Sequence, residues 1–118
     1  MTENSFGYAL REFRRAAKLS QRELANRIGV DFSYISKIEN ERLPPPSADT
    51  IVEICRVLDV RPEELLALTG KIPTSVHKTL SGSRAAQEFL SEMQQMGLTD
   101  EEWNRMVKSL RDLRRHDQ

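Results

Sequence analysis

Apolar residues recur along the chain at intervals of three and four, the spacing that lines one face of an α-helix. Phe6, Leu10, Phe13 and Ala17 predict a first helix over residues 5–17. The second begins at SQRE, where Ser20 can cap the N-terminus and Glu23, three residues on, can bond back to it. Leu24, Ala25 and Ile28 form its inner face, and Gly29 ends it, because glycine tolerates the left-handed conformation at a helix C-terminus. Asp31 stands where it can cap a third helix over residues 32–41, with Ile35 and Ile38 facing inward. Two short helices joined by so brief a turn predict a helix-turn-helix.

LPPPS then breaks the chain, since prolines cannot continue a helix and hold the backbone extended. Ser47 caps a fourth helix whose apolar set is Ile51, Val52, Ile54, Cys55 and Leu58. Pro62 opens a fifth helix at a first-turn position and Gly70 closes it, with Leu65, Leu66 and Leu68 expected to complete the bundle. These elements make one small domain over residues 1–70. Residues 71–82 are expected to be a linker with one short helical turn at TSVHKTL. Residues 83–118 read as a helical hairpin. Its first helix carries Ala86, Phe89, Leu90, Met93 and Met96 on one side and stops at Gly97. Its second has Thr99 as cap, Glu102 as capping-box partner, and Leu98 with Trp103 as a hydrophobic staple. Trp103, Met106, Val107, Leu110 and Leu113 share one of its faces. The expected fold is all-α.

Composition narrows the class. A chain of 118 residues with 38% hydrophobic and 31% charged residues suits one modest helical core with a smaller module. No apolar run approaches the roughly 20 residues of a membrane span, and MTENSFGYALREFRR lacks a signal-peptide core, so a cytoplasmic protein is expected. The single Cys55, which suits a core position, agrees with a reducing compartment. The formal net charge is zero. Its distribution is uneven: residues 1–42 hold eight Lys or Arg against six acids, and the remainder holds ten against twelve. His77 and His116 are far apart, with no metal-ligand spacing, phosphate loop or nucleophile motif beside them. No enzyme activity, metal or cofactor is expected.

A helix fits the major groove of double-stranded DNA, and a helix-turn-helix places its second helix there. With Ile35 and Ile38 inward, Phe32, Ser33, Ser36 and Lys37 project from the other side. Lys37 can donate to guanine O6 or N7, the serines can serve several bases, and Phe32 can meet a thymine methyl. SQRELANRIGVDFSYISKIENE resembles the helix-turn-helix of the lambda-repressor-like Cro/XRE family of bacterial and phage transcription regulators, and the resemblance extends over residues 6–70. It rests on Gln21, the Glu23-Leu24-Ala25 triplet, Gly29, Ile35 and Ile38-Glu39-Asn40. It implies that Phe32, Ser33 and Lys37 occupy base-reading positions, that Gln21 bonds a phosphate, and that Tyr34, Asn40 and Arg42 touch the DNA backbone. It also implies a structural pair between Arg14 and Glu39. The chain departs from the family in carrying Glu41 where glycine is common, and in the longer LPPPS loop.

The hairpin has two readings. It can fold back on its own domain, or pair with a second copy through Phe89, Leu90, Met93, Trp103, Met106, Val107, Leu110 and Leu113. A homodimer reading two half-sites about 34 Å apart explains more than one short recognition helix can. The functional expectation is therefore a sequence-specific DNA-binding regulator, by default a repressor occluding an inverted-repeat operator. The alternative is an antitoxin-like interaction module whose partner is another protein and whose DNA binding is secondary.

Overall fold

Buried leucine and isoleucine side chains from five consecutive helices meet in one cluster, and that cluster organises the first part of the molecule. The structure, a computed structural model, describes residues 5–115. Both termini of the expected spans, and with them His116, lie outside the described residues. Among the described residues there are eight helices and no strands: α1 (Phe6–Ala16), α2 (Gln21–Ile28), α3 (Phe32–Glu39), α4 (Ala48–Leu58), α5 (Pro62–Leu66), α6 (Thr74–Ser81), α7 (Arg84–Met96) and α8 (Asp100–Asp112). None is long and apolar enough to cross a membrane.

Local sequence signals account for most helix ends. The Ser5 hydroxyl accepts from Tyr8 N–H at α1. At α2 Ser20 and Glu23 exchange side-chain and backbone bonds in a complete capping box, and Thr99 and Glu102 do the same at α8. Gly29 takes φ 75 and ends α2, which frees the chain to turn into α3. Asp31 occupies the N-cap position of α3, yet its side chain makes no cap hydrogen bond. The carboxylate accepts from the Ser33 hydroxyl instead.

The core joins Phe6 and Leu10 of α1, Leu24 and Ala25 of α2, Ile35 and Ile38 of α3, Ile51, Ile54, Cys55 and Leu58 of α4, and Leu65 of α5. Cys55 is a packing residue: burial, with a smaller contribution from Glu63, pushes its thiol up to about 11, so it stays protonated. Leu68, expected to complete the bundle, is 43% exposed, because α5 ends at Leu66 and the chain turns there.

Helix α3 ends at Glu39 rather than continuing to residue 41. Glu41 adopts φ 62, and this left-handed turn brings its carboxylate to the Gly7 N–H at 3.1 Å. A non-glycine residue is strained there, and the bond to an otherwise unpartnered first-turn amide of α1 offsets part of the cost. The departure from family glycine thus has a local reason. Gly7 lets the two helices come this close: a Cβ there would lie 2.6 Å from Ile38 O and 2.7 Å from Glu39 O.

The first compact unit runs to His77, past Gly70, and the second spans Lys78–Gln118. Lys71 Nζ donates to the carbonyls of Pro45 and Pro46 at 3.0 and 2.8 Å, and Asp49 accepts from Thr74 N–H and hydroxyl at 3.0 and 2.8 Å. These bonds hold the PPP loop against residues 71–74 and start α6, which forms two turns rather than the one expected. In the second unit, α7 and α8 are joined through Gly97, Leu98 and Thr99.

Gly7→Ala is expected to lower stability by about 1–3 kcal/mol, because the added methyl meets fixed carbonyls. Thermal unfolding of the variant checks it, and an unchanged midpoint contradicts the close approach.

Candidate nucleic-acid interface

A carboxylate has no place inside a small helical core unless donors surround it. Glu39, at the end of α3, is fully buried and has four. Arg14 Nε donates to Oε2 at 2.7 Å, while Arg14 Nη2, Gln21 Nε2 and Arg11 Nε donate to Oε1 at 2.9, 3.0 and 3.4 Å. Arg14 Nη1 spends its remaining reach on Leu19 O at 2.8 Å. Among the described residues no buried side-chain nitrogen or oxygen lacks a partner. Burial pushes the Glu39 carboxyl up, but the bonds from Arg14 and Gln21, the Arg14 charge and the Arg11 bond outweigh it and hold its pKa below the ordinary glutamate range. The Glu39 carboxylate raises Arg14 in turn. One side chain therefore fastens α3 to α1 and α2.

That anchorage decides what α3 shows to the outside. Ile35, Ile38 and Glu39 are buried, Phe32 and Lys37 are exposed, and Ser33 and Ser36 are half-buried. The four candidate base-reading residues thus share the outer face near the start of α3. Tyr34 is half-buried and packs against the core, and Arg42 is exposed beyond the helix end. Gln21 is half-buried, with its amide N–H turned inward to Glu39.

Three neighbours of this face were missed from sequence. The Arg22 guanidinium lies 4.7 Å from the centroid of the Phe32 ring, a cation–π contact between the starts of α2 and α3. Arg11, one turn before Arg14 on the same side of α1, donates through Nη2 to Asn40 Oδ1 at 2.9 Å. Asn40 Nδ2 in turn donates to Ser36 Oγ at 3.3 Å. Asp31 holds the Ser33 hydroxyl. Only the spacing of Arg11 from Arg14 carried any hint of these roles.

The second unit carries a different surface. Phe89 of α7 and Trp103, Met106, Val107 and Leu110 of α8, with Leu113 after it, line an apolar groove of about 380 Å³. Leu110 is 71% exposed and Leu113 64%, whereas Leu90 and Met93 are half-buried.

Two helices that pack on a shared core and are linked by the turn of residues 29–31 define a helix-turn-helix protein. The helix-turn-helix family profile matches residues 10–65. By that domain the chain resembles the Cro/XRE-like family of helix-turn-helix transcriptional regulators. The HTH-type transcriptional regulator RghRB of Bacillus subtilis is 38% identical over 87 residues, covering 71% of this chain and 63% of that protein. The regulator y4dL of Sinorhizobium fredii is 33% identical over 85 residues, 72% of this chain and 41% of its own length. The chain thus spans less than two thirds of these curated relatives. Among solved structures, the biofilm master regulator SinR in complex with DNA is 34% identical, with a TM-score of 0.49, over 52% of this chain and 97% of that one. The SinR–SinI complex is similar in fold at 24% identity and a TM-score of 0.50, over 96% of this chain and 99% of that one.

Glu39→Gln removes the charge that Arg14 is buried against and is expected to cost about 3 kcal/mol at pH 7. Because the folded pKa of Glu39 is lowered, its contribution is complete above the unfolded value of about 4.3 and is lost as the pH falls through the folded value. The gap between wild type and variant in urea unfolding should therefore narrow below about pH 4. A gap constant from pH 7 to pH 3 contradicts this.

Proposed function

We propose that this chain is a DNA-binding transcriptional regulator that lays α3 in the major groove and binds an inverted-repeat operator as a homodimer. The observation that carries the reading is the division of α3 into a buried face, anchored by Ile35, Ile38 and Glu39, and an outer face of Phe32, Ser33, Ser36 and Lys37. Resemblance to a family of transcriptional regulators supports it. In this reading Phe32 meets a thymine methyl and Lys37 donates to guanine, while the two serines bond base edges. Gln21 keeps the second hydrogen of its Nε2 amide and its backbone N–H, at the start of α2, for a phosphate, and Tyr34, Asn40 and Arg42 flank the recognition helix toward the DNA backbone. Occlusion of a promoter in the cytoplasm is the simplest regulatory outcome.

The apolar groove of the second unit supports the dimer. Exposed Phe, Trp, Met, Val and Leu side chains concentrated on one face lose free energy to water until something covers them. A second copy supplies the same face, and two recognition helices multiply the specificity of one. The same groove also suits a helix of a different protein, the antitoxin-like reading, in which the isolated chain stays monomeric and gains mass only with that partner.

Selection of bound fragments from a random duplex library at about 0.15 M salt, where phosphate-only binding is suppressed, tests the main reading. It is expected to enrich an inverted repeat with half-site centres about one helical turn apart. An unenriched library contradicts sequence-specific recognition. Leu110→Asp removes about 1.5–3 kcal/mol of apolar burial per copy and should weaken self-association at least about tenfold. Sedimentation at micromolar protein checks it, and a wild-type mass with wild-type operator binding rules the face out as the dimer contact.

A further inference from the structure

A serine hydroxyl both donates and accepts, so a serine on a recognition helix ordinarily discriminates poorly between bases. Ser33 and Ser36 are different because each has part of its capacity already taken by a neighbour of fixed polarity: the one proton of Ser33, and one of the two lone pairs of Ser36. Asp31 is a carboxylate and can only accept, so the Ser33 proton is committed to Asp31 Oδ2. What Ser33 Oγ has left to offer outward is lone pairs. At Ser36 the bond runs the other way. Arg11 can only donate, and its Nη2 lies 2.9 Å from Asn40 Oδ1, which orients the Asn40 amide so that Nδ2 faces Ser36 Oγ at 3.3 Å. Reversing that amide would set its NH₂ against the guanidinium. Ser36 therefore accepts from Asn40, and among the described residues no acceptor takes its proton, which stays available to a ligand. Arg11 is itself tied to the buried Glu39 at 3.4 Å, so the orientation of Asn40 is referred back to the anchor of the domain.

We propose that the two serines are polarised in opposite senses, Ser33 as an acceptor alone and Ser36 toward donation, and that this sets which base edges the recognition helix takes. The inference rests on α3 reading DNA in the major groove. In that groove the exocyclic amino groups of adenine N6 and cytosine N4 are the donors, while guanine O6 and N7, adenine N7 and thymine O4 are the acceptors. Ser33 then selects adenine or cytosine on the strand it faces and rejects guanine and thymine. Ser36, with its proton free and one of its two lone pairs occupied, favours guanine, thymine or the N7 edge of adenine over cytosine. Asp31 and Arg11 are positioning residues: they touch no base and act through the serine or the asparagine beside them.

Comparative selection from a random duplex library with wild type, Ser33→Ala, Asp31→Asn and Asn40→Asp tests the assignment by base preference. Changes in the overall charge of the face alter affinity for all sequences alike and do not imitate a shift at one position. Wild type should prefer adenine or cytosine by roughly three- to tenfold at one half-site position, and Ser33→Ala should flatten that position alone. Asp31→Asn keeps the serine but supplies an amide that can donate to it. The same position should then admit guanine and thymine. Asn40→Asp turns the Ser36 proton inward and should move a second position from guanine or thymine toward adenine or cytosine. The proposal is overturned if wild type enriches a motif but the position sensitive to Ser33 prefers guanine or thymine. It is equally overturned if no position responds to Ser33→Ala, or if Asp31→Asn and Asn40→Asp leave the preferences as they were. If wild type enriches no motif, the DNA-reading function itself fails and the polarity assignment falls with it.

Discussion

Glu39 is a charge placed where water cannot reach it, and the rest of the first unit is arranged around that fact. A buried carboxylate is tolerable only with several donors in good geometry, and these come from three side chains on two other helices: Arg11 and Arg14 of α1, Gln21 of α2. Apolar packing alone is permissive about rotation of a short helix, since Leu and Ile side chains accept many neighbours. An ion pair with fixed bond directions is not. The two bonds from Arg14 to the two oxygens of Glu39 set the rotation of α3 about its axis, and with it which residues face outward.

The outer face follows from this anchor in a graded way. Phe32 is steadied from the side by Arg22, Ser36 through Asn40 and Arg11, and Ser33 by Asp31. Lys37 is exposed and flexible, suited to a charge-based contact more than to a shaped one. At the far end of α3, the strained Glu41 closes onto Gly7, so that the helix is held at its C-terminus by a second, independent contact with α1. The outer face of α3 is therefore held more firmly than eight residues of helix would be alone.

Much of this was legible in sequence where the cause is local. Capping boxes at Ser20 and Thr99 act within one helical turn, and glycine at residue 29 signals its own backbone conformation, so these helix starts and stops could be placed directly. The inward set of α3 followed from its spacing. What escaped were interactions whose partners are distant in sequence: Glu41 with Gly7, Arg11 with Asn40, and the tethering of Lys71 and Thr74 to the PPP loop and Asp49 that carries the first unit past Gly70. Asp31 shows the converse. Its position was right for a cap, but the carboxylate had a nearer donor in Ser33. Leu68 was assigned inward by hydrophobicity alone, which says nothing about a helix that stops two residues earlier.

The most direct test of the anchor is a double-mutant cycle on Arg14 and Glu39, each replaced by Met, followed by urea unfolding at pH 7. Glu39→Met strands the buried Arg14, and Arg14→Met leaves the buried Glu39 with only Gln21 and the longer Arg11 bond, whereas the double variant removes both charges. The account predicts that the double variant is destabilised by less than the sum of the singles, with a coupling of at least about 1–3 kcal/mol. Strict additivity would contradict it, and would mean that the orientation of α3 is set by apolar packing rather than by Glu39.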